Sequence, residues 1–480
     1  MSLVGRSLDR RAKRFVAWNE ERIGAARGIK WAMRYVFPDH WSFLLGEVAL
    51  YSFIVLVITG IFLALFYIPS DHMVTYHGSY APLQGFRMSE AYQSVVHISL
   101  EVPAGLLFRQ THHWAADIFN ASILLHLTRV LFTGAYRKPR DLNWMIGLTM
   151  LTLGILEGFA GYSLVDDLLS GMGLVIAYAV SMSIPLIGGQ LSILLWKGAY
   201  PGASVFFPRL EILHVFLIPA LLAVLITLHL GMIMRQHHSQ FPGRGRRERN
   251  VVGTPMWPAY ALRSVGLLLA VAGVEFLLGG LIQINPIWQW GPYHVYLSEN
   301  GAQPDWYIGW LIGALRLMPN FEPRIDGFTI FPNPFWGGAA FPGFVFAVMY
   351  LWPWAQRKLT HDYRPHHLLH RPRDRPVHSA IAAAFLSWVL IVFMVGATDR
   401  VFFRLDISYQ DEIRFWRGGV WLFPIIVFLV TLWVCRWLQR HDPHPLRGWD
   451  GQVVEPVQIS DPLQDREQQA AGTHAPPAGG

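Results

Sequence analysis

Apolar residues in this chain fall into eight long runs, separated by stretches rich in Arg, Pro, Gly and aromatic side chains. The runs lie at roughly 43–68, 113–134, 145–165, 210–235, 259–283, 337–355, 379–397 and 419–437. At about 1.5 Å per helical residue, each is long enough for a hydrocarbon layer about 30 Å thick. Backbone N–H and C=O groups find no water there, so each run is expected to be a helix. The pattern predicts an all-α, polytopic membrane protein with eight transmembrane helices. Residues 1–40 intersperse Arg6, Arg10, Arg11, Lys13, Arg14, Arg22, Arg27, Lys30 and Arg34 with apolar positions and carry no cleavage site. That predicts an amphipathic helix on the membrane surface rather than a signal peptide. Residues 441–480 are polar and rich in Pro, Gln, Asp and Gly, and are expected to be disordered.

Charge gives the runs an orientation. Basic residues crowd the amino-terminal segment, the second-to-third link (Arg137, Lys138, Arg140), the fourth-to-fifth link (Arg244, Arg246, Arg247, Arg249) and the sixth-to-seventh link (Arg357, Lys358, Arg364, Arg371, Arg373, Arg375). An even number of crossings returns all of these to one side, which the positive-inside rule makes the cytoplasm, with both termini there. The opposite face then carries the longer loops, including Ile282 to Met318, where short surface helices over a pocket are expected.

Composition agrees: 53% of the 480 residues are hydrophobic and 15% charged, with a mean hydropathy of +0.31. The formal charge of +7 sits beside apolar ends, which argues for a membrane surface against nucleic acid. A single cysteine, Cys435, excludes internal disulfides, cysteine-ligated clusters within the chain and a Cys-x-x-Cys-His haem attachment.

Two runs carry paired histidines. His112 and His126 are fourteen residues apart, which is about 40° short of four full turns and a climb of about 21 Å. His113 is thirteen from His126 and falls about 140° away, so His112 is the better match. His214 and His229 are fifteen apart, an overshoot of about 60° with a rise of about 22 Å. Facing each other, the two helices would present one His/His pair near each side of the bilayer. Two neutral imidazoles saturate a haem iron, which suits electron transfer. The alternatives are polar helix contacts or a proton pathway, as in a transporter, and a dihaem anchor joining a dehydrogenase to quinone.

Glycines repeat the interval. Gly46 and Gly60 in the first run, and Gly147 and Gly161 in the third, are each fourteen apart. Glycine lets a flat macrocycle approach the backbone, although in membrane helices it also serves close packing. Helix direction puts Gly60 and Gly161 level with His112 and His214 toward the outside, and Gly46 and Gly147 level with His126 and His229 toward the inside. Arg109 and Arg129 flank the ligands as candidate propionate partners. Glu157 and Glu275 are intramembrane carboxylates and candidates for proton or quinone contacts.

These residues resemble cytochrome b of the cytochrome bc1 complex, quinol:cytochrome c reductase. The resemblance runs from about residue 40 to 438 and includes R-x-x-H-x13-H, H-x14-H, the glycine pairs and Gly161-Tyr162. Pro304-Asp305-Trp306-Tyr307 is similar to the Pro-Glu-Trp-Tyr motif of the family's outer quinol site. GSYAPLQGFRMSEAY, TGAYRKPRDLNW and GYSLVDDLLSG look most like the actinobacterial branch. The resemblance implies a four-helix dihaem bundle over 41–250, a carboxy-terminal transmembrane domain over 251–440 and non-covalent b haems at two levels. It also implies an outer quinol site containing Pro304, Asp305, Trp306, Tyr307 and Tyr162, with menaquinol as the expected quinol. Expected partners are a Rieske iron–sulfur protein, a c-type cytochrome and a cytochrome c oxidase in a supercomplex, around a homodimer in a bacterial plasma membrane. For the inner quinone site the candidates are Arg235, His237, His238 and Arg263, each of which could equally face lipid. Two positions depart from the family pattern: Asp305 replaces Glu, and Val165 stands where the branch has Pro.

Overall fold

The computed structural model describes residues 13–22, 24–298, 304–398 and 404–441. The expectations for Arg6, Arg10 and Arg11 and for the tail beyond 441 lie outside these residues. Among the described residues, eight helices are long and apolar enough to span a membrane: α1 Trp41–Ala64, α2 Gly105–Thr133, α3 Asp141–Ser163, α4 Phe206–Gln236, α5 Met256–Leu281, α6 Asn333–Thr360, α7 Pro376–Val395 and α8 Tyr409–His441. All eight runs read from the sequence are there. The eighth begins ten residues earlier than its apolar run, because Asp411, Glu412, Arg414 and Arg417 continue the helix beyond the apolar stretch. Three two-stranded ribbons are the only sheets among the described residues.

α1 packs along α2, α4 along α3, and α5 against both α2 and α1. Leu127, Leu131, Trp144, Leu148 and Ala382 form one buried cluster between α2, α3 and α7. Val345, Val392, Val395, Ile413 and Val420 form another between α6, α7 and α8. α2 has 29 residues, about 43 Å of helix, so its two arginines lie toward its two ends. It stops at Gly134, whose φ of 64° is a left-handed conformation that glycine adopts without strain. α4 is irregular. Ile212–Leu217 form a π-helical turn, which takes up about one residue more than an α turn.

The basic links converge on one face. Arg137 donates to the Leu368 carbonyl at 2.7 Å, and Arg140 to the His366 and His237 carbonyls, each at 2.7 Å. Glu248 accepts from the backbone N–H groups of His367 and Leu368. We call this face inner and the opposite one outer. Burial lowers both Arg137 and Arg140 to about 10, against the raising effect of nearby Glu248. The amino-terminal segment is joined to this face by the pairing of Val36–Phe37 with Thr254–Pro255.

On the outer face short helices cover the bundle: Glu90–Leu100, Leu168–Ser183, Ile287–Trp290 and Gly309–Leu317. Ser89 caps the first and Asp167 the second, each accepting from a backbone N–H three residues on. Tyr92 donates to the Ile287 carbonyl at 3.2 Å, which ties the α1–α2 loop to the α5–α6 loop. Val165 packs beside Tyr76, Met88 and Tyr92 in the core under this cover.

Candidate functional site

The four histidines meet in two pairs. His112 of α2 and His214 of α4 have ring centroids 6.1 Å apart, and His126 and His229 are 6.5 Å apart. Two metal–imidazole bonds of about 2 Å each, with half a ring beyond each nitrogen, come to about this separation. The unequal sequence intervals are reconciled by the π turn, which contains His214 and takes up the fifteenth residue.

The glycines lie where the sequence levels put them. A Cβ on Gly60 would meet His112 Cε1 at 3.2 Å, and one on Gly161 would meet His214 Cε1 at 2.4 Å. At the inner level the corresponding distances are 3.2 Å from Gly46 to His126 and 3.9 Å from Gly147 to His229. The residues fit a flat metal macrocycle at each level. Each imidazole pair faces glycine backbone, and unused donors lie nearby. Arg109 is buried and gives one bond to the Asn285 carbonyl at 3.2 Å, while its Nε and Nη2 have no partner. Arg129 lies over the Phe43 ring at 4.3 Å with its Nε unpartnered. Such donors suit an anionic group.

The two levels differ in what holds the imidazoles. His112 Nδ1 lies 2.9 Å from the Thr59 hydroxyl, and His214 Nδ1 lies 2.9 Å from Glu157 Oε1. The inner histidines His126 and His229 make no hydrogen bond through Nδ1 among the described residues. Thr59 carries no signal in the sequence beyond its place next to Gly60. Glu157 sits against a histidine, and Glu275 is fully buried with both oxygens unpartnered.

Outside this pair of levels, His113 Nε2 lies 2.7 Å from Asp305 Oδ1, and Tyr307 donates its hydroxyl to Asp305 Oδ2 at 2.8 Å. Asp305 occupies the N-cap position of the turn Trp306–Ile308 but makes no capping hydrogen bond. Burial works against its ionised form. The facing His113 and the bonds from His113 and Tyr307 outweigh this and hold the carboxyl below its ordinary value. Tyr307 is buried, which pushes its hydroxyl well up, and Gly158 makes room for it, since a Cβ there would fall 2.4 Å from the hydroxyl oxygen. Trp306 packs edge-on to Tyr307, Pro304 is half-buried, and Tyr162 donates to the Leu169 carbonyl at 2.6 Å.

A cavity of about 970 Å³ includes the inner pair itself, with His126, His229, Gly46 and Gly147 in its walls, and extends to Arg140 of the basic links. Its walls include His237, His238 and Arg263 but not Arg235, which is exposed at the end of α4. Glu47 also lines this cavity, and it accepts from Tyr260, from Tyr51 at 3.1 Å and from Ser264 at 3.2 Å. It follows Gly46 directly on α1, and only its position beside that glycine could have singled it out.

The family Cytochrome b(N-terminal)/b6/petB matches residues 117–292. The cytochrome bc1 complex cytochrome b subunit of Mycobacterium bovis is 44% identical over 424 residues, covering 88% of this chain and 77% of that protein. The subunit of the same name from Streptomyces coelicolor is 39% identical over 469 residues, covering 96% and 86%. A solved structure titled "Hyperthermophilic respiratory Complex III" shares the fold, with a TM-score of 0.65 at 21% identity over 88% of this chain and 99% of that one. With histidines, glycines and loops arranged as above and identities of this size over most of its length, the chain belongs to the family of cytochrome bc1 complex cytochrome b subunits.

Proposed function

We propose that this chain is the dihaem cytochrome b of a respiratory quinol:cytochrome c oxidoreductase. It would oxidise quinol at the outer face and return electrons to quinone at the inner face, with coupled proton translocation. The observation that carries this reading is the double imidazole pair on the same two helices, at 6.1 Å and 6.5 Å. In it, His112 and His214 hold the outer b haem, and His126 and His229 the inner one. When bound, the haems supply one-electron acceptors at two depths, so that charge can cross the membrane. Arg109 and Arg129 bind the propionates.

At the outer site Asp305 accepts a quinol proton, and His113 and Tyr307 hold its carboxylate in place. At the inner site Glu47, Tyr260 and Ser264 hold a polar patch against which a quinone carbonyl can be hydrogen-bonded and protonated. Arg263 is paired with Asp39 at 3.3 Å beside it. Menaquinol is the expected quinol, and a Rieske protein, a c-type cytochrome and an oxidase are the expected partners of a homodimer. The membrane is a bacterial plasma membrane with the basic links cytoplasmic. The division into a haem-binding part, 41–250, and a carboxy-terminal part, 251–440, belongs to the same reading.

The test is a reduced-minus-oxidised spectrum of the purified complex together with menaquinol:cytochrome c reductase activity. Two b haems per chain with menaquinol turnover support the proposal. A chain without b haem, or with one, overturns it.

A further inference from the structure

α3 repeats itself across the two levels. Glu157 stands four residues before Gly161, and Asn143 four before Gly147, so Asn143 and Glu157 are fourteen apart in the same relation to their glycines. The Glu157 backbone carbonyl lies 3.2 Å from His214 Nδ1, and at the inner level the Asn143 backbone faces His229. The outer level adds something the inner one lacks. Glu157 Oε1 reaches His214 Nδ1 at 2.9 Å, whereas the Asn143 side-chain oxygen is buried without a partner. α1 shows the same contrast. Thr59, just before Gly60, bonds His112 Nδ1 at 2.9 Å, while the residue before Gly46 is Leu45, which has no polar group to offer. The levels thus differ in what their ligands touch: side-chain polar groups, one of them a carboxylate, hold the outer ligands at Nδ1, and none does so for the inner ones among the described residues.

We propose that Glu157 is a positioning residue that lowers the electron affinity of the outer haem relative to the inner one, acting through His214. A carboxylate accepting the ligand's N–H makes the imidazole a stronger donor and favours the oxidised metal. In a low-dielectric interior its charge acts over several ångströms in the same direction. No carboxylate lies within ion-pair distance of His126 or His229 among the described residues, so the inner level has no such brake. The result is a built-in gradient that favours electron movement from the outer level to the inner. This inference rests on the two-haem reading, which the same experiment checks separately.

The experiment is an equilibrium redox titration of the b-haem absorbance in the intact complex, with the haem count and low-temperature EPR of each haem. It compares the parent with Glu157→Gln, Glu157→Ala and Glu157→Asp. Glu157→Gln keeps an acceptor oxygen and removes the charge, and Glu157→Ala leaves only the backbone carbonyl. Both are expected to raise the outer potential by at least tenfold in equilibrium constant, 59 mV for one electron, and to shift the outer EPR signal. The inner haem should titrate as in the parent. Glu157→Asp, which keeps the charge, should fall between. An outer potential within threefold of the parent in both neutral variants overturns the inference, as does an equal shift of both haems. Loss of the outer haem from all three variants overturns it too, because Glu157 would then be needed for holding the group rather than tuning it. A parent with a single haem component sinks the two-haem reading itself.

Discussion

His113 on α2 and Asp305 in the α5–α6 loop lie 2.7 Å apart, Nε2 to Oδ1, across 192 residues of sequence. The bond ties the outer loop's carboxylate to the helix that carries His112 and His126. His112 turns inward to the imidazole pair while its neighbour turns outward to hold the acid. If Asp305 takes the quinol proton, Asp305→Asn should slow quinol oxidation about 100-fold with both b haems retained, the size expected for losing a positioned base. Asp305→Glu should keep much of the activity. Turnover of the Asn variant at the parent rate between about pH 6 and 8 would leave the carboxylate with no required part in proton transfer.

Each histidine pair should behave as a unit. His126→Ala or His229→Ala is expected to remove the inner haem and leave the outer spectrum, and His112→Ala or His214→Ala the reverse. The α-band of reduced membranes reads this directly. Equal loss of one shared signal in all four variants would contradict the two-level arrangement.

The glycines predict a graded series. A methyl at Gly161 would come within 2.4 Å of His214 Cε1, at Gly46 or Gly60 within 3.2 Å of the facing imidazole, and at Gly147 only 3.9 Å from His229. Gly161→Ala should therefore lose haem most, Gly46→Ala and Gly60→Ala less, and Gly147→Ala least. Each change also gains about 1 kcal/mol of helix propensity, which offsets part of the loss. Haem per chain after purification ranks them, and a Gly147→Ala variant emptier than Gly161→Ala would reverse the order expected from the imidazole contacts.

Asp166 in the outer cover should make stability pH-dependent. Burial raises its carboxyl to about 7, with Asp167 and Asp71 adding to this and the Ser89 bond opposing it. A folded value above the unfolded one, about 4, means the folded protein holds the extra proton. The contribution is fully present below the unfolded value and is lost as pH rises through about 7. Asn tolerates the left-handed backbone at this position, where φ is 56°. Thermal midpoints of the solubilised protein should fall between pH 5 and 8 in the parent and fall less in Asp166→Asn; parallel slopes would discount the residue.

The eight spans and the histidine levels were legible because both depend on spacing: membrane thickness sets the one and helical period the other. His112 could be chosen over His113 on angle alone. The partner of His113 could not be read, because nothing local in the sequence links it to a loop 192 residues away. The π turn at Ile212–Leu217 was equally hidden. It shows up in the sequence only as an unexplained extra residue between His214 and His229, since wide turns have no strong residue preference of their own. Arg235 looked like an inner-cavity residue because it ends an apolar run. It points away because the side on which a terminal arginine emerges depends on how α4 is rotated.

The clasp of basic links on the inner face bears on the order in which the chain can be completed during synthesis. Arg137 and Arg140 lie between the second and third spans, yet two of the carbonyls that receive them, at Leu368 and His366, follow the sixth span. Until that span is threaded, the two guanidiniums keep only the acceptors of their own part of the chain, the Gly134 carbonyl for Arg137 and the His237 carbonyl for Arg140. The first four helices can enter the membrane early, but their inner end is finished only by late-arriving polypeptide. A fragment ending near residue 250 would therefore be expected to keep its outer histidine level better ordered than its inner one.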